Sequence, residues 1–144
     1  MPNKVHARYA EWKSLFEVLI SQFESSDRLT FVGSSLGGCF LLKYFSEIRE
    51  FPFQIEQMHL VAACISEGDF TTPGNYEYLQ QLENRLHIWH AEDDRVVPIE
   101  IGKKIASYLP DAQTHFFSPE KGYGHFYGIP RFLELETEIF SPSF

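Results

Sequence analysis

Three residue types that can together make a nucleophile occur in this chain: a serine, an aspartate and a histidine. Ser35 is the central residue of a Gly-x-Ser-x-Gly pattern that runs from Gly33 to Gly37. A serine hydroxyl is a poor nucleophile at neutral pH, so it needs a neighbouring base, and the base needs an acid that orients it. Asp94 and His125 are the candidates for acid and base. These residues predict a nucleophilic serine.

The sequence around Ser35 predicts the turn that such a serine requires. Apolar residues precede it within Leu29–Val32, and apolar residues at helical spacing follow it from Phe40 to Ile48. A serine between a strand and a helix lies at a nucleophile elbow, where small neighbours let the tight turn close. The alternative interpretation is a glycine-rich turn that buries a serine and performs no chemistry.

Alternating helices and strands must position these residues. The predicted strands cover Arg28–Gly33, Gln57–Cys64, Leu86–His90 and Thr114–Phe117. The predicted helices cover Tyr9–Phe23, Leu36–Arg49 and Asn75–Glu83, and two more open at Pro98 and Pro130. This alternation implies parallel, right-handed crossovers and a sheet covered on both faces. The expected fold class is α/β, a three-layer αβα domain with a mainly parallel sheet of about four strands.

In a sheet of this kind the active site lies beyond the carboxyl ends of the strands. Ser35, Asp94 and His125 all lie in segments that follow predicted strands, so we expect them at one rim of the sheet. Asp93 is the competing acid, because it lies beside Asp94. The histidines in or at the ends of predicted strands are expected to be structural: His59, His87, His90 and His115.

Three segments of the chain resemble motifs of the α/β-hydrolase superfamily. Residues 31–38 resemble the family's elbow, usually Gly-His-Ser-Leu-Gly-Gly, with Ser34 in place of the common histidine. Residues 90–98 resemble its His-Gly-x-x-Asp-x-x-Val-Pro segment, with Ala91 in place of the glycine. Residues 124–126 resemble the Gly-His-Phe segment that carries the family's catalytic histidine. The compact serine-hydrolase branch, which has almost no lid, is the nearest.

The resemblance implies a catalytic triad of Ser35, Asp94 and His125, in the order Ser…Asp…His that is typical of the family. It implies a carboxylesterase-like serine hydrolase that cleaves a small ester, thioester or amide through an acyl-enzyme. Because the chain has little material for a lid, short acyl groups are the expected substrates. Phe126 and Tyr127 are candidates for the lining of an acyl pocket.

The resemblance covers only the C-terminal half of the family's fold. The family has further strands before the elbow, and one of them ends in a loop that gives the second oxyanion-hole N–H. No counterpart of these strands or of that loop precedes Ser35, so we expect a truncated version of the fold. The Leu36 backbone N–H is then the one oxyanion donor that the chain itself supplies. Losing one donor typically costs about 100–1000-fold in turnover.

Without the strands that precede the elbow in the family, the predicted strand Arg28–Gly33 would lie at an exposed, apolar edge of the sheet. Such an edge favours pairing with another chain, so we expect a homodimer in which a second copy covers it. Two alternatives to hydrolysis stay open. One is an acyltransferase that uses the same triad, and the other is a non-catalytic binding or partner module that lacks a complete oxyanion hole.

Bulk properties exclude several other classes. The chain has 144 residues, which suits a single domain over residues 1–144. Its net charge of −8 and lack of a basic patch argue against nucleic acid and anionic membrane surfaces as partners. No stretch could span a bilayer, and the first residues lack the apolar run of a signal peptide, so a cytoplasmic location is expected.

The remaining reactive residues predict no cofactor. Cys39 and Cys64 lack metal-ligand spacing, and both are expected to be free, buried thiols. The histidines are too scattered for a metal cluster, and the glycine-rich segment of residues 33–38 lacks the lysine of a phosphate-binding loop. The expected partner is therefore a small-molecule acyl substrate, with neither a cofactor nor a metal.

Overall fold

Four parallel strands form the central sheet of the computed structural model, which describes residues 1, 3 and 5–140. The strands are β1 (Arg28–Ser34), β2 (Gln54–Val61), β3 (Leu86–Ala91) and β4 (Gln113–Phe117). They lie side by side in chain order, and each neighbouring pair is parallel. The predicted α/β class and the parallel sheet of four strands are confirmed.

The helices lie on both faces of this sheet. They are α1 (Tyr9–Ile20), α2 (Leu36–Glu47), α3 (Glu77–Gln80), α4 (Ile99–Tyr108) and α5 (Leu133–Phe140). The first four contribute to the main apolar core, whose sheet residues include Met58, Leu60 and Ile88. The segment leading into α5 covers the opposite face, where Phe132 packs edge-on against Trp89. The result is the predicted three-layer arrangement.

An aromatic cluster anchors α1 to α2. The apolar positions of α1 recur every three or four residues, so Trp12 and Phe16 share one buried face of the helix. The Phe16 ring lies edge-on to Tyr44 and Phe40 of α2, with centroids 4.8 and 5.3 Å apart. Trp12 meets Phe70 in the same geometry at 4.9 Å. These contacts fix the helix that begins at the elbow.

Several predicted boundaries were wrong by a few residues. β2 begins at Gln54 and ends at Val61, three residues earlier at both ends than predicted. The polar residues Gln54, Glu56 and Gln57 hide the start of the strand, but Gln54 and Gln57 pair with β1, and Glu56 forms an ion pair with Arg28. The apolar run after Val61 leaves the ladder because Ala62 has a positive φ of 45°.

The last two helices also begin later than predicted. Pro98 precedes α4 instead of occupying its first turn, since its ψ of 146° is extended. α5 begins at Leu133 and not at Pro130. Phe132, one residue before α5, packs on the sheet, whereas Phe140 at the end of the helix is 81% exposed.

The described strands leave β1 and β4 as the edges of the sheet. On the face of β1 away from α1, Val32 is 50% exposed. The pairing of this edge with a second copy of the chain stays a prediction. Across the residues described, every helix is too short or too polar to cross a bilayer.

A row of three imidazoles, two buried and one half-buried, crosses the face of the sheet that α5 covers. His59, His87 and His115 come from β2, β3 and β4, and the rings of neighbours stack at 4.6 and 5.4 Å. The Trp89 indole N–H donates to His59 Nδ1 at 3.1 Å. Burial lowers the pKa of His59 to about 3 and lowers those of the other two, while the Glu138 carboxylate partly opposes the shift at His87 and His115.

These buried histidines predict a loss of stability in mild acid. The unfolded chain takes up their protons below about pH 6.5, whereas the folded chain keeps His59 neutral down to about pH 3. The free energy of unfolding should therefore fall by about 1 kcal/mol per pH unit for this residue alone between these values. Urea unfolding at pH 7, 6 and 5 measures the slope.

Replacement of His59 by asparagine, which keeps an acceptor for Trp89, should flatten this dependence. The exposed His6 provides the matched control, and its asparagine variant should retain the slope of the unmodified protein. An identical slope in His59→Asn and the unmodified protein would contradict the assignment.

Candidate active site

Ser35 occupies a strained turn between β1 and α2. Its backbone has φ of 52° and ψ of −117°, a region that residues with a side chain rarely adopt. The Ser35 N–H donates to the carbonyl oxygen of Val61 in β2 at 2.8 Å, and the Ser35 carbonyl accepts from Cys39 in the first turn of α2 at 3.1 Å. These bonds hold the serine in the geometry of a nucleophile elbow.

Two glycines allow the elbow to close. A Cβ on Gly33 would lie 2.7 Å from the carbonyl oxygen of Gly37, and a Cβ on Gly38 would lie 2.5 Å from Cβ of Ala63. Gly37 has open space around the same position. The two crowded glycines therefore let α2 approach β1 and the end of β2 closely, while Gly37 is not required for this packing.

Leu36, the first residue of α2, presents a free backbone donor. The first four N–H groups of a helix have no carbonyl partner within the helix, and the helix dipole makes this end favourable for negative charge. Leu36 lines a cavity of about 310 Å³ together with residues 5–7 and 67–70. The Tyr9 N–H donates to Asp69 Oδ2 at 2.9 Å and holds the N-terminal segment at this cavity.

Asp94 is fully enclosed by donors in the loop after β3. Its side chain is 0% exposed. Oδ1 accepts the backbone N–H groups of Val96 and Val97 at 2.8 and 2.9 Å. Oδ2 lies 2.8 Å from Nδ1 of His125. The carboxylate therefore has a fixed orientation, with one oxygen on the backbone and the other on the imidazole.

This contact determines which nitrogen of His125 carries a proton. A carboxylate can only accept, so His125 Nδ1 must be the donor. The neutral ring then carries a lone pair at Nε2. That atom is buried and has no hydrogen-bond partner among the residues described. The ring is thus in the tautomer that a general base for a hydroxyl requires.

His90 supports the Asp94 loop from beneath, a role that the sequence did not reveal. Its Nε2–H donates to the Val97 carbonyl at 2.7 Å and lies 3.5 Å from Asp94 Oδ2. Gly102 of α4 provides the space, because a Cβ there would lie 2.7 Å from His90 Nδ1. His90 is therefore a structural histidine, as expected, and the loop that it supports is the one that carries Asp94.

Asp93, the competing acid, faces the other way along the same loop. Its Oδ1 accepts the backbone N–H of Gly124 at 3.1 Å. It therefore fixes the backbone immediately before His125, whereas the Asp94 carboxylate contacts the ring itself. Asp93 and Asp94 therefore both hold the loop that carries His125. Asp93 bonds to its backbone at Gly124, and Asp94 bonds to the His125 ring.

An aromatic cluster holds the loop that carries His125. Phe126 packs against Phe132 at 5.0 Å and against Tyr123 at 5.6 Å. The Tyr123 hydroxyl donates to both carboxylate oxygens of Glu134 in α5. Tyr127 lies edge-on to the His125 ring at 4.8 Å and is 74% exposed. The predicted substrate contacts of Phe126 and Tyr127 stay predictions.

The structure joins two members of the predicted triad directly. Asp94 and His125 share a hydrogen bond, and Ser35 lies at the carboxyl end of β1 at the same rim of the sheet. No hydrogen bond links Ser35 to His125 in the described part of the chain. In enzymes without substrate, this contact is often long or poorly aligned, so its absence is compatible with a triad.

The cysteines lie beneath the elbow. Cys39 is buried and Cys64 is half-buried, and both are free thiols. Cys64 Sγ lies 3.9 Å from the Ser35 carbonyl oxygen, and Cys39 Sγ contacts the Phe70 carbonyl at 3.4 Å. Within residues 1, 3 and 5–140, no group of three His, Cys, Asp or Glu side chains could hold a metal ion.

Solved structures with the same architecture include enzymes. The ydeN gene product of B. subtilis is 19% identical, with a TM-score of 0.73 over 99% of this chain and 80% of that one. The meta-cleavage product hydrolase CumD is 16% identical, with a TM-score of 0.63 over 99% and 75%. A thermostable esterase is 18% identical, with a TM-score of 0.57 over 87% of this chain and 33% of the esterase.

These likenesses show that the chain has the α/β-hydrolase fold. No protein-family model and no curated protein matches the sequence.

The packing at the elbow predicts opposite responses of two neighbouring glycines. Gly38→Ala places a methyl group 2.5 Å from Ala63, so it should lower the free energy of unfolding by about 1–3 kcal/mol. Gly37→Ala places its methyl group in open space, so it should leave the free energy of unfolding unchanged or raise it by up to about 1 kcal/mol. Urea unfolding followed by circular dichroism measures both values, and equal effects of the two variants would contradict the proposed close approach.

Proposed function

We propose that this protein is a serine hydrolase that cleaves a small ester, thioester or amide through Ser35, His125 and Asp94. The observation that carries the proposal is the buried hydrogen bond between Asp94 and His125. It supports the tautomer in which Nδ1 carries the proton and Nε2 is left for the hydroxyl of a substrate or of the strained Ser35 at the same rim of the sheet.

In the first half of the proposed reaction, Ser35 Oγ attacks the substrate carbonyl carbon. His125 Nε2 takes the hydroxyl proton as the new C–O bond forms, and the carbonyl π electrons move onto oxygen. The nearby Asp94 carboxylate stabilises the imidazolium that results. Collapse of the tetrahedral intermediate breaks the bond to the leaving group, which receives the proton from Nε2. The product of this half is an ester on Ser35.

In the second half, water takes the place of the leaving group. His125 Nε2 removes a proton from water as its oxygen attacks the acyl carbon. The second tetrahedral intermediate expels Ser35 Oγ, which recovers its proton from the imidazolium. A carboxylic acid leaves and the free enzyme is restored. The same imidazole therefore serves as base and then acid in each half.

The negative charge on the substrate oxygen requires a donor in both halves. In the proposal this donor is the Leu36 N–H at the start of α2, where the helix dipole adds to the hydrogen bond. The names of the structural neighbours, which include a hydrolase and an esterase, support hydrolysis as the reaction class. Water as the acceptor distinguishes this proposal from an acyltransferase.

A fluorophosphonate probe tests the proposed nucleophile. Its phosphorus reacts with an activated serine, so the unmodified protein should be labelled stoichiometrically and Ser35→Ala should not be labelled. Ser34→Ala is the matched control one residue earlier on an exposed position, and it should label as fast as the unmodified protein. His125→Ala should slow the labelling by about 1000-fold or more, because the general base is lost.

Circular dichroism of each variant separates loss of chemistry from loss of fold. Labelling that persists in Ser35→Ala would show that another residue is the nucleophile. A folded but unlabelled native protein would instead favour a non-catalytic binding module.

A further inference from the structure

Two cysteines from segments distant in the sequence meet beneath the turn at Ser35. Cys39 lies in the first turn of α2, and Cys64 lies shortly after the end of β2. The Ser35 carbonyl oxygen accepts the backbone N–H of Cys39 at 3.1 Å, and Cys64 Sγ lies 3.9 Å from the same oxygen. Both residues therefore converge on one backbone atom of the elbow.

The close approach of α2 to the segment after β2 brings these cysteines together. A Cβ on Gly38 would lie 2.5 Å from Cβ and 3.1 Å from Cα of Ala63. Cys39 and Cys64 are the next residues in their two segments. Adjacent backbones of this kind are what a disulfide requires, because it joins Cα atoms about 4.4–6.8 Å apart.

The two thiols differ in exposure and in acidity. Cys39 is 0% exposed, whereas Cys64 is half-buried and lines a cavity of about 180 Å³. Hydrogen bonding to Cys39 lowers the pKa of the Cys64 thiol, although burial and the Glu67 carboxylate oppose the shift. The same hydrogen bond and burial raise the pKa of Cys39. Cys64 is therefore the thiol that ionises first and that a small solute reaches first.

We propose that Cys39 and Cys64 form a reversible disulfide that switches the conformation of the elbow, with a hydroperoxide as the oxidant. Cys64 is the thiol that the oxidant meets, and the buried Cys39 closes the disulfide from behind. This inference goes beyond the proposed hydrolase function. Only its effect on the reactivity of Ser35 rests on that function.

The chemistry takes two steps and balances with hydrogen peroxide alone. The Cys64 thiolate attacks one peroxide oxygen, the O–O bond breaks, hydroxide leaves and Cys64 becomes a sulfenic acid. Hydroxide takes the proton of Cys39, whose sulfur then attacks the Cys64 sulfur and expels a second hydroxide. That hydroxide combines with the proton that Cys64 first released. Two thiols have together lost two electrons, and one peroxide has become two waters.

The disulfide acts on the elbow at two points. Cys64 no longer has a proton to donate toward the Ser35 carbonyl oxygen, and the S–S bond draws the first turn of α2 toward the end of β2. That turn also carries the Leu36 N–H, the proposed oxyanion donor. Misplacement of a catalytic group by about 1 Å can cost about 100-fold in rate. The oxidised protein is therefore expected to be the less reactive form.

Treatment of the folded protein with hydrogen peroxide tests the inference by mass spectrometry. The intact chain should lose two hydrogen atoms, and digestion without reduction should give one peptide pair linked through Cys39 and Cys64. Amide hydrogen exchange of residues 35–39 should change. Fluorophosphonate labelling of Ser35 should slow by about 100-fold. Dithiothreitol should reverse all of these effects by thiol–disulfide exchange.

Variants with one cysteine separate the roles of the two thiols. In Cys39→Ala, peroxide should leave a sulfenic acid on Cys64 that dimedone captures, because no second thiol is present to close the disulfide. In Cys64→Ala, the buried Cys39 should not react with dimedone. Peroxide should also leave the labelling rate of Cys64→Ala equal to its own rate before treatment. This control excludes oxidation elsewhere in the chain as the cause of slower labelling.

Each outcome decides the matter, and the measurements on the unmodified protein do so even if a variant does not fold. A sulfinic acid on Cys64 without a disulfide, or a disulfide only between chains, overturns the inference. A disulfide within the chain that changes neither labelling nor amide exchange overturns the switch. If the reduced protein is never labelled, the proposed function fails, and amide exchange then decides whether the disulfide switches the elbow.

Discussion

The backbone conformation of Ser35 is the constraint on which the rest of the structure depends. A φ of 52° with a ψ of −117° is unfavourable for serine, and it persists because the surroundings allow nothing else. Gly33 and Gly38 let the strand and the helix approach to within contact distance, and the Ser35 N–H is bonded to β2. The aromatic packing of α1 on α2 then holds the helix against the sheet.

His125 and Asp94 come to the same rim of the sheet as Ser35 by a different means. Neither His125 nor Asp94 lies in a regular element, so their positions depend on bonds within loops. Asp93 holds the backbone before His125, and His90 holds the carbonyl of Val97. The proposed site thus combines a rigid elbow with loops that several hydrogen bonds hold in place. This division is typical of active sites built on a stable scaffold.

The sequence predicted the architecture well because alternation and turn chemistry are local signals. The Gly-x-Ser-x-Gly pattern identified the elbow that the Ser35 backbone forms, and the parallel sheet followed from the order of elements. Prediction from the sequence failed where contacts between distant segments decide the local structure. The polar start of β2 is a strand because it pairs with β1, and Ala62 ends it by a positive φ that no pattern shows. The support that His90 gives to Asp94 requires the register of α4 on β3.

The most direct test of the central claim is to trap the acyl-enzyme. The protein is mixed with excess p-nitrophenyl acetate, quenched in acid within the first turnover and digested for mass spectrometry. The account predicts a burst of one p-nitrophenolate per chain and an acetyl group on the peptide that contains Ser35. An acetyl group confined to another residue, or turnover without any covalent intermediate, would contradict it.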